Sequence, residues 1–224
     1  VQRDFGITSA WRDGGQTLFV RGGQEAVSPG TLHIEGDWSH AAFYLVAGAI
    51  GRGEIRLTGL DPQSAQGDRA VVEILRDMGA DIRWEGDALV SRASRLHGLR
   101  VDCAQIPDLV PILAVAMAAA EGESRITGAA RLRIKESDRL SAMAAALTAA
   151  GADAAELPDG LAIRGGKPLH AAKIEGCNDH RIVMAMAIAS ALSDGEWTIT
   201  DAEATAKSAP AFWREFERLG GRTR

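Results

Sequence analysis

Apolar and polar positions along this chain form a pattern that is written three times. Asp37, Asp108 and Asp179 each open an apolar, Ala-rich segment, and 108 − 37 and 179 − 108 both equal 71. A Gly and a short alternating stretch follow each segment. These stretches are Gly53-Glu54-Ile55-Arg56-Leu57-Thr58, Gly122-Glu123-Ser124-Arg125-Ile126-Thr127 and Gly195-Glu196-Trp197-Thr198-Ile199-Thr200. A second helical pattern then begins near Asp68, Asp138 and Ser208. It closes on Met78-Gly79-Ala80, Ala150-Gly151-Ala152 and Leu219-Gly220-Gly221. A Gly just past an amphipathic run is a helix stop. Self-similarity at a fixed period marks a repeat architecture.

Each repeat reads strand, helix, strand, helix and a closing hairpin. Residues 31–35 alternate apolar and polar and predict the strand that enters the first repeat. The closing hairpins are predicted over 81–84 and 88–91, and over 154–156 and 161–164, around the turns Glu85-Gly86-Asp87 and Pro158-Asp159-Gly160. The first helices, 41–50, 109–120 and 182–192, are apolar nearly all round and must be buried. The second helices, 69–78, 139–150 and 211–219, are amphipathic and belong outside. The expectation is an α+β fold: repeated βαβαββ units in pseudo-threefold arrangement around buried helices. Residues 1–30 read as the helix end and hairpin of a preceding domain's last repeat, with a turn at Asp13-Gly14-Gly15. Residues 31–224 read as one domain with repeats 31–92, 97–165 and 169–224. The third repeat stops before a closing hairpin, so the expectation is the C-terminal part of a longer protein.

Charge narrows the classes of partner. Twenty-five Lys and Arg against 30 Asp and Glu give a net charge of −5 and a pI near 5.6. Nucleic acid is therefore not an expected partner. The longest apolar run, 109–120, is too short to span a bilayer, and no basic segment leads into an apolar one at the start. The two cysteines, Cys103 and Cys177, make neither a disulfide framework nor a zinc spacing. A cytoplasmic protein with reduced thiols, no metal and no cofactor is expected.

The candidate chemistry gathers at the helix starts. By the repeat symmetry the N-termini opened by Asp37, Asp108 and Asp179 lie on one face. Free N–H groups and the partial positive charge of each helix end favour an anion there. Each Asp also reads as a candidate helix cap, with capping expected of at least one of the three, and the two readings are compatible. Arg131-Leu132-Arg133-Ile134-Lys135-Glu136-Ser137-Asp138-Arg139-Leu140 leads into the second helix of the middle repeat. Lys135 and Arg139, four apart, share a face if the turn is helical, with Glu136 beside Arg139. Fixed cations suit a phosphate or carboxylate, and an adjacent Glu can move protons; a solvated, salt-bridged helix start is the alternative. Asn178-Asp179-His180-Arg181 opens an apolar helix. There His180 reads as a polar anchor or a proton shuttle, and Arg181 as an anion clamp, against a simply capped helix with a satisfied His. Ile106-Pro107-Asp108 puts a carboxylate at the equivalent mouth, and Thr205-Ala206-Lys207-Ser208 a lysine ahead of the last helix.

Lys-Glu-Ser-Asp-Arg-Leu, Asn-Asp-His-Arg, Ile-Pro-Asp and Thr-Ala-Lys-Ser, in this order and spacing, resemble the 5-enolpyruvylshikimate-3-phosphate synthase family. Glu35-Gly36-Asp37-Trp38-Ser39 and Gln66-Gly67-Asp68 fit it as well. The resemblance covers essentially the whole chain and corresponds to the C-terminal half of the family's sequences. It implies a two-domain transferase of the shikimate pathway to aromatic amino acids, a glyphosate target. Such an enzyme moves the enolpyruvyl group of phosphoenolpyruvate to the 5-hydroxyl of shikimate 3-phosphate and releases phosphate. By position, Asp108 matches the family's acidic residue at the shikimate hydroxyls, a proton acceptor. Lys135 matches a lysine on shikimate 3-phosphate. Glu136 matches the carboxylate that handles the methylene proton, so Asp108, Glu136 and Lys207 are the implied catalytic set. Arg139, Arg181 and Lys207 match cations that hold phosphoenolpyruvate, with His180 nearby. The implied partner is the N-terminal half of the same enzyme.

Two departures qualify the resemblance. Gly128-Ala129-Ala130 stands where many members carry Asn before Ala-Arg-Leu-Arg, and the family's N-terminal Lys-Ser and Ser-Ser-Gln contacts are absent from the chain. Two other readings remain: a non-catalytic anion-binding fragment, and a relative of the transferase acting on UDP-N-acetylglucosamine, which lacks the Lys-Glu-Ser-Asp-Arg and Asn-Asp-His-Arg pair.

Overall fold

The computed structural model describes residues 2–224 in two compact bodies, one ending at Glu35 and one spanning Gly36–Arg224. The small body holds an antiparallel hairpin, β1 (Ser9–Arg12) and β2 (Thr17–Val20), which pairs Ser9 with Val20 and Arg12 with Thr17. Gly14 and Gly15 make the turn at positive φ, which costs a glycine little. Residues 31–35 form no strand, contrary to the alternating pattern. Ile34 is 73% exposed there. Alternation specifies a strand only where one face is buried and a neighbouring backbone takes the ladder bonds.

The main body carries the three repeats. The first comprises α1 (Trp38–Ile50), β3 (Glu54–Leu57), α2 (Val71–Asp77), β4 (Asp81–Glu85) and β5 (Ala88–Arg92). The second comprises β6 (Arg100–Asp102), α3 (Val110–Ala119), β7 (Gly122–Thr127), α4 (Arg139–Ala149), β8 (Asp153–Leu157) and β9 (Gly160–Gly165). The third comprises β10 (Lys173–Ile174), α5 (His180–Ala189), β11 (Thr198–Ile199) and α6 (Phe212–Arg218).

Each repeat builds one small sheet. The order is β3-β5-β4 in the first, β6-β7-β9-β8 in the second and β10-β11 in the third. The entering strand runs parallel to the strand after the helix in the second and third repeats, and the closing hairpin is antiparallel in the first and second. Among the described residues, β11 pairs on one side only. Its two residues are fewer than the six that the pattern over 195–200 predicts.

The helices explain the arrangement. All nine residues of Val110–Ala118 in α3 are buried, and α1, α3 and α5 pack on one another at the centre. A helix without a polar face has no stable position except inside. The second helices lie outward; α6 buries only Phe212. Gly48 lets α1 press on β5, since a Cβ there would stand 2.7 Å from the Ser91 carbonyl oxygen. Ser91 Oγ donates to the Leu45 carbonyl at 2.7 Å and ties the same contact. No helix among the described residues is long and apolar enough to cross a membrane.

Candidate active site

Three helix starts meet at one end of the central bundle. Asp37 caps α1, accepting from the backbone N–H of Ser39 and His40, and Asp179 caps α5, accepting from that of Arg181 at 2.9 Å. Asp108 does not cap α3. It sits in the 3₁₀ turn Pro107–Leu109 ahead of that helix, which leaves its carboxylate free for side-chain partners. Arg181 joins the three ends: Nη1 donates to the Asp108 carbonyl at 3.0 Å and Nη2 to Ser39 Oγ at 2.7 Å. The face inferred from the repeat therefore exists, and its centre is a guanidinium that is 13% exposed.

Arg139 is the second hub. It is the first residue of α4, which Asp138 caps through the Ser141 N–H, and only 1% of its side chain is exposed. A buried guanidinium requires partners. Nε donates to Asp179 Oδ2 at 2.7 Å and Nη2 to Asp179 Oδ1 at 3.2 Å. Nη1 donates to Asp108 Oδ1 at 2.9 Å and Nη2 to Glu136 Oε2 at 2.6 Å. Four of its five N–H groups are thus engaged, and one Nη1 hydrogen has no partner in the hydrogen bonds described. Asp179 is wholly buried, which alone would raise its pKa. The two Arg139 bonds and that charge outweigh burial, with help from the Arg181 N–H and the Ser137 hydroxyl, and hold it below the usual carboxylate range.

The other predicted residues border these hubs. Lys135 Nζ stands 3.8 Å and Arg181 Nε 3.7 Å from Asp108 Oδ1, so that oxygen faces three cations. Glu136, Lys135 and Asp108 keep a third or more of their side chains exposed, as a ligand site needs. His180 is buried, and its Nδ1 has no hydrogen-bond partner among the described residues. Burial, and then the Arg181 charge, lower its pKa, so the ring is neutral at pH 7. Lys207 is tied to the residue before Asp179: Nζ donates to the carbonyl and to Oδ1 of Asn178, the latter at 3.0 Å. Cys177, Asn178 and Asp201 lie at φ of 53°, 49° and 55°. Asp201 Oδ2 accepts from the Asn178 N–H at 2.9 Å. Left-handed backbone at non-Gly residues stores about 1–3 kcal/mol each and persists where its surroundings enforce it.

Ser39 and Asp179 are the participants that sequence reasoning did not assign to the site. The repeat held a signal for Ser39, which lies 142 residues from Arg181, twice the 71-residue spacing. Equivalent positions on equivalent helices face one another across a pseudo-threefold axis. Among the described residues no cluster of His, Cys, Asp or Glu is arranged to hold a metal ion.

Comparison with known proteins bears on this geometry. Residues 3–216 match the family model of EPSP synthase (3-phosphoshikimate 1-carboxyvinyltransferase). The chain is 44% identical over 204 residues to the 3-phosphoshikimate 1-carboxyvinyltransferase of Clostridium novyi, which covers 91% of this chain and 46% of that protein. It is 43% identical over 211 residues to the one from Halobacterium salinarum, covering 91% and 49%. The chain thus spans about half the length of the curated relatives it matches. Its fold is similar to the structure of EPSP synthase from Acinetobacter baumannii, with a TM-score of 0.80 at 33% identity over 99% of this chain and 53% of the other. The enolpyruvyl transferase NikO from Streptomyces tendae shares the fold at a TM-score of 0.76 and 20% identity, covering 99% and 52%.

Proposed function

The chain belongs to the EPSP synthase (3-phosphoshikimate 1-carboxyvinyltransferase) family, and from that membership we propose that it supplies one half of the active site of such an enzyme. The reaction joins the 5-hydroxyl of shikimate 3-phosphate to the enolpyruvyl carbon of phosphoenolpyruvate and expels phosphate. The observation that carries the reading is the convergence of Asp108, Lys135, Glu136, Arg139 and Arg181 from different repeats onto one helix-end face.

Addition needs a proton taken from the hydroxyl and one delivered to the methylene carbon; elimination needs the methyl proton removed as phosphate leaves. Asp108 takes the hydroxyl proton, and Glu136 delivers the methylene proton and takes one back. Lys135 holds the phosphate of shikimate 3-phosphate. Arg181, Lys207 and the free Nη1 hydrogen of Arg139 hold the carboxylate and phosphate of phosphoenolpyruvate, with neutral His180 alongside. Neutral His180 adds a polar group without a second repelling charge beside Arg181. A further polypeptide, the N-terminal half of the enzyme, contributes the remaining contacts.

The test is phosphate release from the two substrates by residues 1–224, alone and after adding the N-terminal half of a relative. Turnover only on mixing is expected. Failure of the mixture to turn over, with both halves folded, overturns the reading in favour of an anion-binding module.

A further inference from the structure

Arg133 stands in the motif that leads into α4, and the chemistry above gives it no task. The motif carries Lys135 and Glu136 on a segment outside the core. None of residues 133–138 is buried, and Ile134 is 86% exposed. Residues 135–137 form a bend between the 3₁₀ turn Ala130–Ile134 and α4. Neither apolar burial nor a strand ladder sets where this bend stands, so polar contacts must do so.

The Arg133 guanidinium closes the segment at its base. Nη1 donates to Asp138 Oδ2 at 2.9 Å, so the two ends of 133–138 hold each other across the bend. Nη1 also donates to Glu156 Oε1 at 2.6 Å, Nη2 to the Leu157 carbonyl at 2.7 Å and Nε to the Pro158 carbonyl at 3.0 Å. Those three acceptors run along the end of β8 into the turn before β9, where Leu157 pairs with Gly160. The same turn holds the chain that leads in. Asp159 accepts from the Gly128 N–H through Oδ2 at 3.1 Å and from the Ala129 N–H through its carbonyl at 2.7 Å. The other carboxylate oxygen of Asp138 caps α4, accepting from the Ser141 N–H at 3.1 Å. One guanidinium thus fastens the bend to a hairpin and to a helix start. Arg133 is 29% exposed, so its ion pairs alone add little stability. Four directed bonds from a planar fork fix an orientation, which an ammonium group cannot do.

We propose that Arg133 is a positioning residue that sets the bend bearing Lys135 and Glu136 against Asp108 and Arg139. This rests on the reading of Lys135 and Glu136 given above. From the side of the site, Glu136 is tied to Arg139 at 2.6 Å and Ser137 to Asp179 at 3.0 Å, while Lys135 stands 3.8 Å from Asp108. Arg139 and Asp108 are groups that the substrates engage, so those ties change as a ligand arrives. The Arg133 bonds run to groups outside the chemistry and persist. They keep the phosphate-holding ammonium and the proton-moving carboxylate in register, where a misplacement of about 1 Å can cost about a hundredfold in rate.

The experiment uses Arg133→Lys, which keeps the charge and loses the fork, and Asp138→Ser, which keeps a helix cap too short to reach Arg133. In the mixed two-half enzyme each is expected to lower kcat about tenfold and raise the shikimate 3-phosphate KM about fivefold, with the phosphoenolpyruvate KM moved by less than about twofold. The pair should be no worse than either alone, because both open the same clasp. Arg133→Lys should not raise KM further in Lys135→Ala, nor lower kcat further in Glu136→Ala. Backbone amide nitrogen relaxation of residues 1–224 should show 135–137 as rigid as α4 in the parent and more mobile in both variants, with α3 unchanged. A fall in kcat with an unmoved shikimate 3-phosphate KM, or 135–137 equally rigid in Arg133→Lys and the parent, overturns the proposal. So does a full further loss in the Lys135→Ala and Glu136→Ala backgrounds. Asp138→Ser provides the same readings should Arg133→Lys fold poorly. If Lys135→Ala and Glu136→Ala are themselves silent, the reading of the site falls and the proposal with it; if they act and Arg133→Lys does not, the site stands and the positioning role does not.

Discussion

Asp108 and Glu136 both accept from Arg139 and both keep a third or more of their side chains exposed. Replacing either by Ala in the mixed two-half enzyme should lower kcat by about 10²–10⁴, the usual contribution of a positioned acid or base, with unfolding behaviour unchanged. Near-normal turnover in both would remove their assigned roles. Asp179 should show the reverse profile, because it is wholly buried against Arg139. Asp179→Asn leaves that guanidinium short of charge inside the protein and should cost about 3 kcal/mol in a denaturant titration. Its depressed pKa gives the pH dependence. The unfolded carboxyl binds protons before the folded one does. The stabilisation is therefore complete above the ordinary Asp range and is lost as pH falls through it toward the lower folded value. Denaturation midpoints below pH 4 should fall more steeply for the parent than for Asp179→Asn. His40 and His180, both lowered chiefly by burial, add an earlier loss as pH falls through and below 6.5.

Helices α1, α3 and α5 could be read from the chain because their apolar composition is complete and repeats in phase. An all-apolar helix has a single environment open to it. Strand 31–35 could not, since its alternation states which face would be buried and not whether a ladder exists to bury it. Glu136 was legible as a neighbour of Arg139 from its spacing, whereas Asp108 and Asp179 were legible as residues and not as partners. Asp108 lies 31 positions away in the same repeat and Asp179 40 positions away in the next, and only tertiary packing brings them within 3.2 Å. Gly48 tests the helix packing. Gly→Ala within a helix normally favours folding by about 1 kcal/mol. Here the added Cβ meets the Ser91 carbonyl oxygen at 2.7 Å and the Ser91 Cβ at 2.8 Å, on backbone that has no room to retreat. Gly48→Ala should therefore destabilise by about 1–3 kcal/mol, seen as a lower Tm, whereas a gain in Tm would mean α1 and β5 are not held this closely.

Over the main body, the third repeat differs from its siblings in having a sheet of only two short strands, β10 and β11, each with one edge unpaired among the described residues. Open edges recruit other strands. Residues 1–224 alone should self-associate with rising concentration in sedimentation velocity, and the N-terminal half should suppress this; a monomer throughout would show the edge to be protected. The guanidinium of Arg181 has a different consequence. It binds the Asp108 carbonyl of the second repeat and the Ser39 hydroxyl of the first while growing from the third. Nothing within one repeat can keep this arrangement if another opens. The amides at the starts of α1, α3 and α5 should therefore exchange with solvent deuterium at one common rate, that of global unfolding, rather than at three local ones. The Arg181 junction then has no half-built form: the fold presents it whole or loses it whole.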